Sequence, residues 1–145
     1  MSEGDFRRWL IKNKPKNSIM QAIETGTGSG IPDLFYCYNG CPCWIELKAT
    51  QGRACYMRIS QWRWFCNLVK AKGEGFLIIK RLKTKTIDVY DINQLAVAGM
   101  AKEARLVGQD IIFPEYIEPV FTSIVVAGHE QFYKLLNLQL RRERK

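Results

Sequence analysis

A predicted β-hairpin near residue 40 is the feature that most constrains the fold of this chain. Two mainly apolar runs, 34–38 and 44–47, flank the dipeptide Asn39-Gly40. Asn-Gly favours the two-residue turn in which both residues adopt positive φ, and it is a strong short-range hairpin signal between β-forming residues. The sequence therefore predicts two antiparallel strands joined at residues 39 and 40.

Charged residues cluster at one end of this hairpin. Asp33 precedes the first strand, and Glu46 and Lys48 lie two residues apart in the second. Strand alternation places Glu46 and Lys48 on one face and Leu47 on the other, and pairing of the strands brings Asp33 beside Glu46. Two such carboxylates repel unless a cation lies between them, and an adjacent lysine can hold a water or a phosphate oxygen. The pattern is typical of a metal-dependent phosphodiesterase site.

These residues also carry a family resemblance. Ile31-Pro32-Asp33, followed 13 positions later by Glu46-Leu47-Lys48, resembles the motif of the PD-(D/E)XK nuclease superfamily. The longer strings at 28–34 and 45–49, with Gln61 downstream, are similar more specifically to the VRR-NUC branch, as found in small stand-alone phage nucleases. The resemblance covers about residues 1–80, and it implies an α/β fold: a restriction-endonuclease-like core with a central mixed β-sheet flanked by helices.

The resemblance implies Mg²⁺- or Mn²⁺-dependent hydrolysis of DNA phosphodiester bonds. Asp33 and Glu46 would bind the metal together with the Leu47 carbonyl. Lys48 would orient the attacking water or help to deprotonate it. Gln61 matches the glutamine that follows the ExK motif in the family and helps to position the site.

A first helix is predicted over residues 2–13. Ser2 opens a capping-box-like start, and three apolar residues at helical spacing form a stripe: Phe6, Trp9 and Leu10. Glu3 shares the face of this stripe. It is either a first-turn acid favoured by the helix dipole or, as the resemblance implies for an acid on the first helix, a third active-site carboxylate. We favour the second interpretation.

We expect one nuclease domain over residues 1–145, with a core at about 1–90 and a strand-and-helix extension at about 91–145. The helix that carries Gln61 is predicted to begin with Ser60 as its N-cap and to stop at Gly73. The other elements predicted from periodicity are strands over 18–25, 75–79, 86–90 and 120–126, and helices over 91–98 and 129–140.

A net charge of +8 and a pI near 9.4 favour a polyanionic partner. We expect several basic residues to contact the DNA backbone. They lie on the first helix and at its end, which we expect close to the site, in the 81–85 turn and at two other positions: Arg7, Arg8, Lys12, Lys14, Lys16, Arg53, Arg63, Arg81, Lys83 and Lys85. No apolar run of 18 residues and no signal peptide is present, so we expect no membrane partner and an intracellular, cytoplasmic protein that could be phage-encoded.

The five cysteines predict neither a disulfide framework nor a zinc site. An odd number of cysteines in a chain without an export signal argues against disulfides. The spacing of Cys37, Cys41 and Cys43 does not match the paired motifs of structural zinc. We therefore expect no structural zinc.

The substrate is left open by the residues themselves. The resemblance to small stand-alone VRR-NUC proteins implies a homodimer acting on branched DNA or a four-way junction. One alternative is a homing- or restriction-type endonuclease that reads sequence, which needs an element that enters a groove. Another is a basic nucleic-acid-binding protein without catalysis, which does not need Asp33, Glu46 and Lys48 together on neighbouring strands.

Overall fold

The structure, a computed structural model, describes residues 2–23, 30–100 and 102–142, without the side chains of 141 and 142. The end of the predicted first strand and the glycine-rich residues 26–29 lie outside these ranges. The elements in chain order are α1 (Glu3–Lys12), β1 (Ser18–Ala22), β2 (Leu34–Tyr38), β3 (Cys41–Thr50), β4 (Cys55–Arg58), α2 (Ile59–Lys70), β5 (Gly75–Arg81), β6 (Thr86–Asp91), α3 (Ile92–Met100), β7 (Arg105–Val107), β8 (Asp110–Phe113), β9 (Phe121–Ile124), a 3₁₀ turn (Val125–Ala127) and α4 (His129–Arg142).

A six-stranded mixed sheet forms the centre, in the order β1-β2-β3-β5-β6-β9. Only the β3–β5 pair is parallel among its described neighbours. Buried side chains of α1 and α4, such as Phe6 and Phe132, pack on one face. Those of α2 and α3, such as Phe65 and Leu95, pack on the other. The predicted mixed sheet flanked by helices is confirmed. No helix within the described ranges is long and apolar enough to cross a bilayer.

The predicted hairpin is confirmed at its turn and in its register. Tyr38 pairs with Cys41, and Asn39 and Gly40 have φ values of 50° and 80°, as the two-residue turn requires. β3 is longer than the predicted run, because residues 44–50 also pair in parallel with β5. This second partner extends the strand through Lys48, which places both members of the Glu-x-Lys motif inside the sheet.

A second sheet, in the order β4-β8-β7, is absent from the sequence prediction. Its strands are three or four residues long, and every residue of β7 is exposed, so no apolar periodicity marks that strand. β4 alternates between the buried side chains of Cys55 and Met57 and the more exposed ones of Tyr56 and Arg58. This short alternation is the one local indication of a strand before α2.

The predicted N-cap of α2 is wrong by two residues. The helix begins at Ile59, and its N-cap is Arg58, whose backbone N–H donates to Gln61 Oε1 at 3.0 Å. The Gln61 side chain therefore caps the helix, while Ser60 lies in its first turn. At the other end Lys72, with φ 65°, takes the left-handed position that was predicted for a glycine stop.

Candidate functional site

Three carboxylates from three separate elements converge at one end of the central sheet. Glu3 comes from the first turn of α1, Asp33 directly precedes β2, and Glu46 lies in β3. One oxygen of each lies within 4.8 Å of the others, and this is the one His, Cys, Asp or Glu group among the described residues with the geometry to hold a metal ion. Because Leu34 pairs with Ile45, the residues preceding and following that pair, Asp33 and Glu46, lie side by side. The predicted meeting of these two acids is confirmed.

The backbone of β3 fixes the orientation of Asp33. The Leu47 N–H donates to Asp33 Oδ2 at 2.9 Å, so the loop before β2 is tied to the strand that carries Glu46. The Leu47 side chain is 1% exposed and packs in the core beneath α1 and α4. Leu47 thus points its side chain away from the site and contributes only backbone atoms to it.

Lys48 and Gln61 both contact the same oxygen of Glu46. Gln61 Nε2 donates to Glu46 Oε2 at 2.8 Å, and Lys48 Nζ lies 3.4 Å from that oxygen. Lys48 Nζ also lies 6.0 Å from the centre of the Tyr56 ring. Since Gln61 Oε1 accepts from the backbone N–H of the N-cap residue Arg58, the glutamine links the start of α2 to the carboxylate. Gln61 therefore lies at the site, bound to Glu46.

The second oxygen of Glu46, Oε1, is buried and has no hydrogen-bond partner within the described part of the chain. Burial, and then the charge of Asp33, raise the pKa of Glu46 to about 9, and Lys48 opposes this rise only in part. Burial also raises the pKa of Glu3, against the opposing charge of Lys48. The protein alone therefore does not favour three ionised carboxylates in this space.

A divalent cation fits this arrangement. It would supply the missing partner of Glu46 Oε1 and would favour the ionised form of all three acids. The donors are carboxylate oxygens, which are the ligands of hard cations such as Mg²⁺ and Mn²⁺. Glu3, Asp33 and Glu46 are the side chains that could hold such an ion.

The basic residues predicted on and after α1 do not form one surface beside the carboxylates. Arg7 lies close enough to Glu3 to lower the pKa of that acid, whereas Arg8 forms an ion pair with Asp5. The remaining three lie farther along the chain: Lys12 is the last residue of the ten-residue helix, about 14 Å from Glu3 along its axis, and Lys14 and Lys16 follow the helix. The expectation that these three lie near the site is wrong.

Arg81 is a structural residue, which corrects its predicted place in an exposed basic turn. Its side chain pairs with Asp88 at 3.0 Å, donates to the Tyr90 hydroxyl at 3.0 Å and donates to the carbonyls of Gly52 and Ala54 at 3.3 and 2.6 Å. Only 5% of the residue is exposed. These contacts hold the β3–β4 loop and leave no free donor face for a phosphate. Four other residues predicted to contact DNA are exposed: Arg53, Arg63, Lys83 and Lys85.

Two residues near the carboxylates were missed by the sequence prediction. Arg58 lies close enough to Glu3 to lower its pKa, and Tyr56 lies beside Lys48. Both belong to β4, and the alternation of Cys55-Tyr56-Met57-Arg58 is the pattern from which they could have been found.

Comparison with known proteins identifies the class of fold. No protein-family model matches the chain, and no curated protein matches it. Among solved structures the chain is similar to Hjc, a Holliday junction resolvase from Archaeoglobus fulgidus, with a TM-score of 0.55 and 12% sequence identity. The match covers 86% of this chain and 93% of the resolvase. The chain thus shares the fold of this resolvase, in agreement with the α/β fold that the motif resemblance implied.

Proposed function

We propose that this protein is a Mg²⁺- or Mn²⁺-dependent DNA endonuclease that prefers branched DNA such as a four-way junction. The observation that carries the proposal is the buried carboxylate of Glu46. One of its oxygens has no hydrogen-bond partner among the described residues and belongs to the group of acids with Glu3 and Asp33, while the other is contacted by Lys48 and Gln61. Metal-assisted hydrolysis of a phosphodiester bond uses such a combination of acids and a lysine.

The acids would hold the metal, and the neighbouring residues would serve the reaction. Asp33, Glu46 and the Leu47 carbonyl, with Glu3 beside them, would be the ligands. When bound, the ion supplies polarisation of the phosphate and stabilisation of the charge that develops on it. Lys48, held by Glu46 at 3.4 Å, would orient the attacking water or help to remove its proton. Gln61 would keep the Glu46 carboxylate in place from the start of α2.

The charge distribution supports a nucleic-acid substrate. Arg7 and Arg58 lie close to the acids, so they could bind phosphates that flank the cleaved bond. Arg63 is exposed and lies near Arg58, and Arg53 is exposed in the loop before β4. Contacts of this kind position the backbone without reading sequence.

The preference for branched DNA has two sources of support. The chain has the fold of a protein described as a Holliday junction resolvase. Its motif strings are similar to the VRR-NUC branch, whose small stand-alone members are expected to act as homodimers on junctions. We propose on this basis a homodimeric, intracellular enzyme of phage type.

A substrate panel tests this proposal. End-labelled four-way junction, flap, linear duplex and single-stranded DNA are each incubated with the protein in Mg²⁺, Mn²⁺ or EDTA, with Asp33→Asn as the inactive control. We expect metal-dependent cleavage of the junction at least about tenfold faster than cleavage of its duplex arms, a difference of about 1.4 kcal/mol in barrier height.

Other outcomes separate the alternatives. Equal rates on the junction and its arms at matched salt would remove the branch preference. Cleavage confined to one duplex sequence would indicate a restriction- or homing-type enzyme. Binding without cleavage in any metal would indicate a non-catalytic binding protein. A monomer by light scattering, alone and with junction DNA, would contradict the homodimer.

A further inference from the structure

A cavity of about 630 Å³ lies at the other end of α1 and β2 from the carboxylates. It is a half-open cleft bordered by the loop after α1, the end of β2 and one face of α4. We call it the α4 pocket and define it by six of its lining residues: Lys14, Lys16, Tyr38, Lys134, Asn137 and Leu138. Nothing in the proposed nuclease mechanism uses this pocket.

A buried amide faces the α4 pocket. Asn137 is 9% exposed, and its Oδ1 accepts a hydrogen bond of 2.8 Å from the hydroxyl of the fully buried Tyr36. This contact fixes the carboxamide. Its Nδ2 has no hydrogen-bond partner within residues 2–23, 30–100 and 102–142, and Asn137 lines the cavity. This amide group reaches the surface of the cavity and is not sealed in the core, so it can donate to an acceptor on a bound molecule.

The rim of the pocket is cationic. Lys16 and Lys134 are exposed, and neither forms an ion pair with any described residue. Lys14 Nζ lies 3.4 Å from the Ser18 carbonyl, which leaves its remaining donors for a ligand. Glu130 is the one acid in the lining that the structure describes, and it is exposed at the edge. An anion at this rim would be attracted by three ammonium groups.

The lining of the pocket is mainly apolar. Tyr38 and Leu138 supply an aromatic ring and an aliphatic side chain, and the Tyr133 hydroxyl is already used in a 2.5 Å bond to the Leu10 carbonyl. A volume of this size lies within the range of pockets that hold small molecules. An aromatic ring in the same cleft as ammonium groups is the combination that binds a base together with its phosphate.

We propose that the α4 pocket binds a nucleotide unit. The phosphate lies among Lys14, Lys16 and Lys134, the base packs against Tyr38 and Leu138, and Asn137 Nδ2 donates to an acceptor on the base. Two sources present this chemistry: a free nucleoside monophosphate, and an unpaired nucleotide of a DNA chain. The pocket is separate from the carboxylates, so the proposal stands whether or not the protein cleaves DNA.

Calorimetric titration of the full chain in EDTA tests the pocket without any contribution from cleavage. The probes are dAMP, deoxyadenosine and inorganic phosphate. The proteins are the wild type, Lys134→Gln, and Lys70→Gln as a matched control that removes one exposed lysine charge from α2, on the other face of the sheet. We expect dAMP to bind at least about tenfold more tightly than either fragment, and Lys134→Gln to weaken dAMP by about fivefold or more, with no change for Lys70→Gln.

The DNA source is tested with a duplex that carries one unpaired adenosine and with its fully paired counterpart. Tighter binding of the bulged duplex that is lost in Lys134→Gln assigns the pocket to DNA, whereas binding of dAMP without a bulge preference assigns it to free nucleotides. Either result supports the proposal. Inorganic phosphate binding as tightly as dAMP would overturn it. Failure of both dAMP and the bulged duplex to bind in a Lys134-dependent way would overturn it as well.

Discussion

Glu46→Gln should stabilise the metal-free protein at neutral pH. Glu46 is 1% exposed, and burial followed by the charge of Asp33 raises its pKa to about 9 from an ordinary value of 4.5. A carboxyl group whose pKa is raised by folding does not lower the free energy of unfolding at a pH below its ordinary pKa. The penalty grows as the pH rises from 4.5 towards 9, because only the unfolded chain can then release the proton. Glutamine has nearly the same shape and cannot ionise.

The size of this effect at pH 7 follows from the difference between pH 7 and the ordinary pKa of the Glu46 carboxyl. About 2.5 pH units separate the ordinary pKa of 4.5 from pH 7, and each is equivalent to about 1.36 kcal/mol, so the penalty at pH 7 is on the order of 3 kcal/mol. Imperfect hydrogen bonding of the new amide offsets about 1 kcal/mol of the gain. We therefore expect Glu46→Gln to raise the free energy of unfolding by about 2 kcal/mol, which corresponds to roughly 6 °C in Tm for a domain of this size.

The assay is thermal unfolding in EDTA at pH 5, 7 and 9 for the wild type, Glu46→Gln and the exposed control Glu118→Gln. The Tm difference between Glu46→Gln and wild type should be small at pH 5 and should widen towards pH 9, while the control should follow the wild type. Mg²⁺ or Mn²⁺ should then raise the Tm of the wild type and leave that of Glu46→Gln almost unchanged. A Tm difference that stays constant across this pH range, or a Glu46→Gln protein less stable than wild type at pH 7, would contradict a raised pKa of Glu46 in the folded protein.

Three further substitutions test individual roles. Lys48→Ala should slow single-turnover cleavage by about 10²-fold, with DNA affinity within a few-fold of wild type. Lys48→Arg should not restore the rate. A rate for Lys48→Ala within about threefold of wild type would show that Lys48 does not act in the chemical step. Arg81→Met should lower the free energy of unfolding by about 3 kcal/mol in urea denaturation and leave DNA affinity unchanged, while the control Lys83→Met should do the reverse. Normal stability of Arg81→Met would contradict its structural role. Gly30 has φ +82°, and an added Cβ would lie 2.3 Å from the Ser60 carbonyl oxygen. Gly30→Ala should therefore cost on the order of 3 kcal/mol, and an unchanged urea midpoint would contradict this.

The parts of the fold that could be predicted are those that depend on neighbouring residues. Asn39-Gly40 specifies its turn locally, and once the turn is placed the register follows, so Asp33 and Glu46 meet without any tertiary information. Strand alternation then accounts for Lys48 beside Glu46. The place of Gln61 in the site was predicted from the family resemblance, because its contact with Glu46 joins a helix to a strand and no local pattern encodes such a contact.

The parts that were missed depend on pairing between distant segments. β4 and β8 pair although about fifty residues separate them, and β7 has no buried side chain to mark it. Arg81 begins a run of basic residues that is typical of an exposed turn, and only the pairing of β5 with β6 brings Asp88 and Tyr90 to it. The end of α2 likewise depends on Lys72, which takes a conformation that is more common for glycine.

Single-turnover cleavage of a labelled four-way junction tests whether the three acids hold a catalytic metal ion. Wild type and Asp33→Asn are compared in Mg²⁺, in Mn²⁺ and in EDTA, with junction binding measured in parallel in EDTA. The acids at the end of the sheet should make cleavage by the wild type strictly metal-dependent, and Asp33→Asn should be slower by at least about 10²-fold while it still binds the junction within a few-fold. Cleavage that persists in EDTA, or a wild-type rate for Asp33→Asn in either metal, would contradict the assignment of these carboxylates to a catalytic metal site.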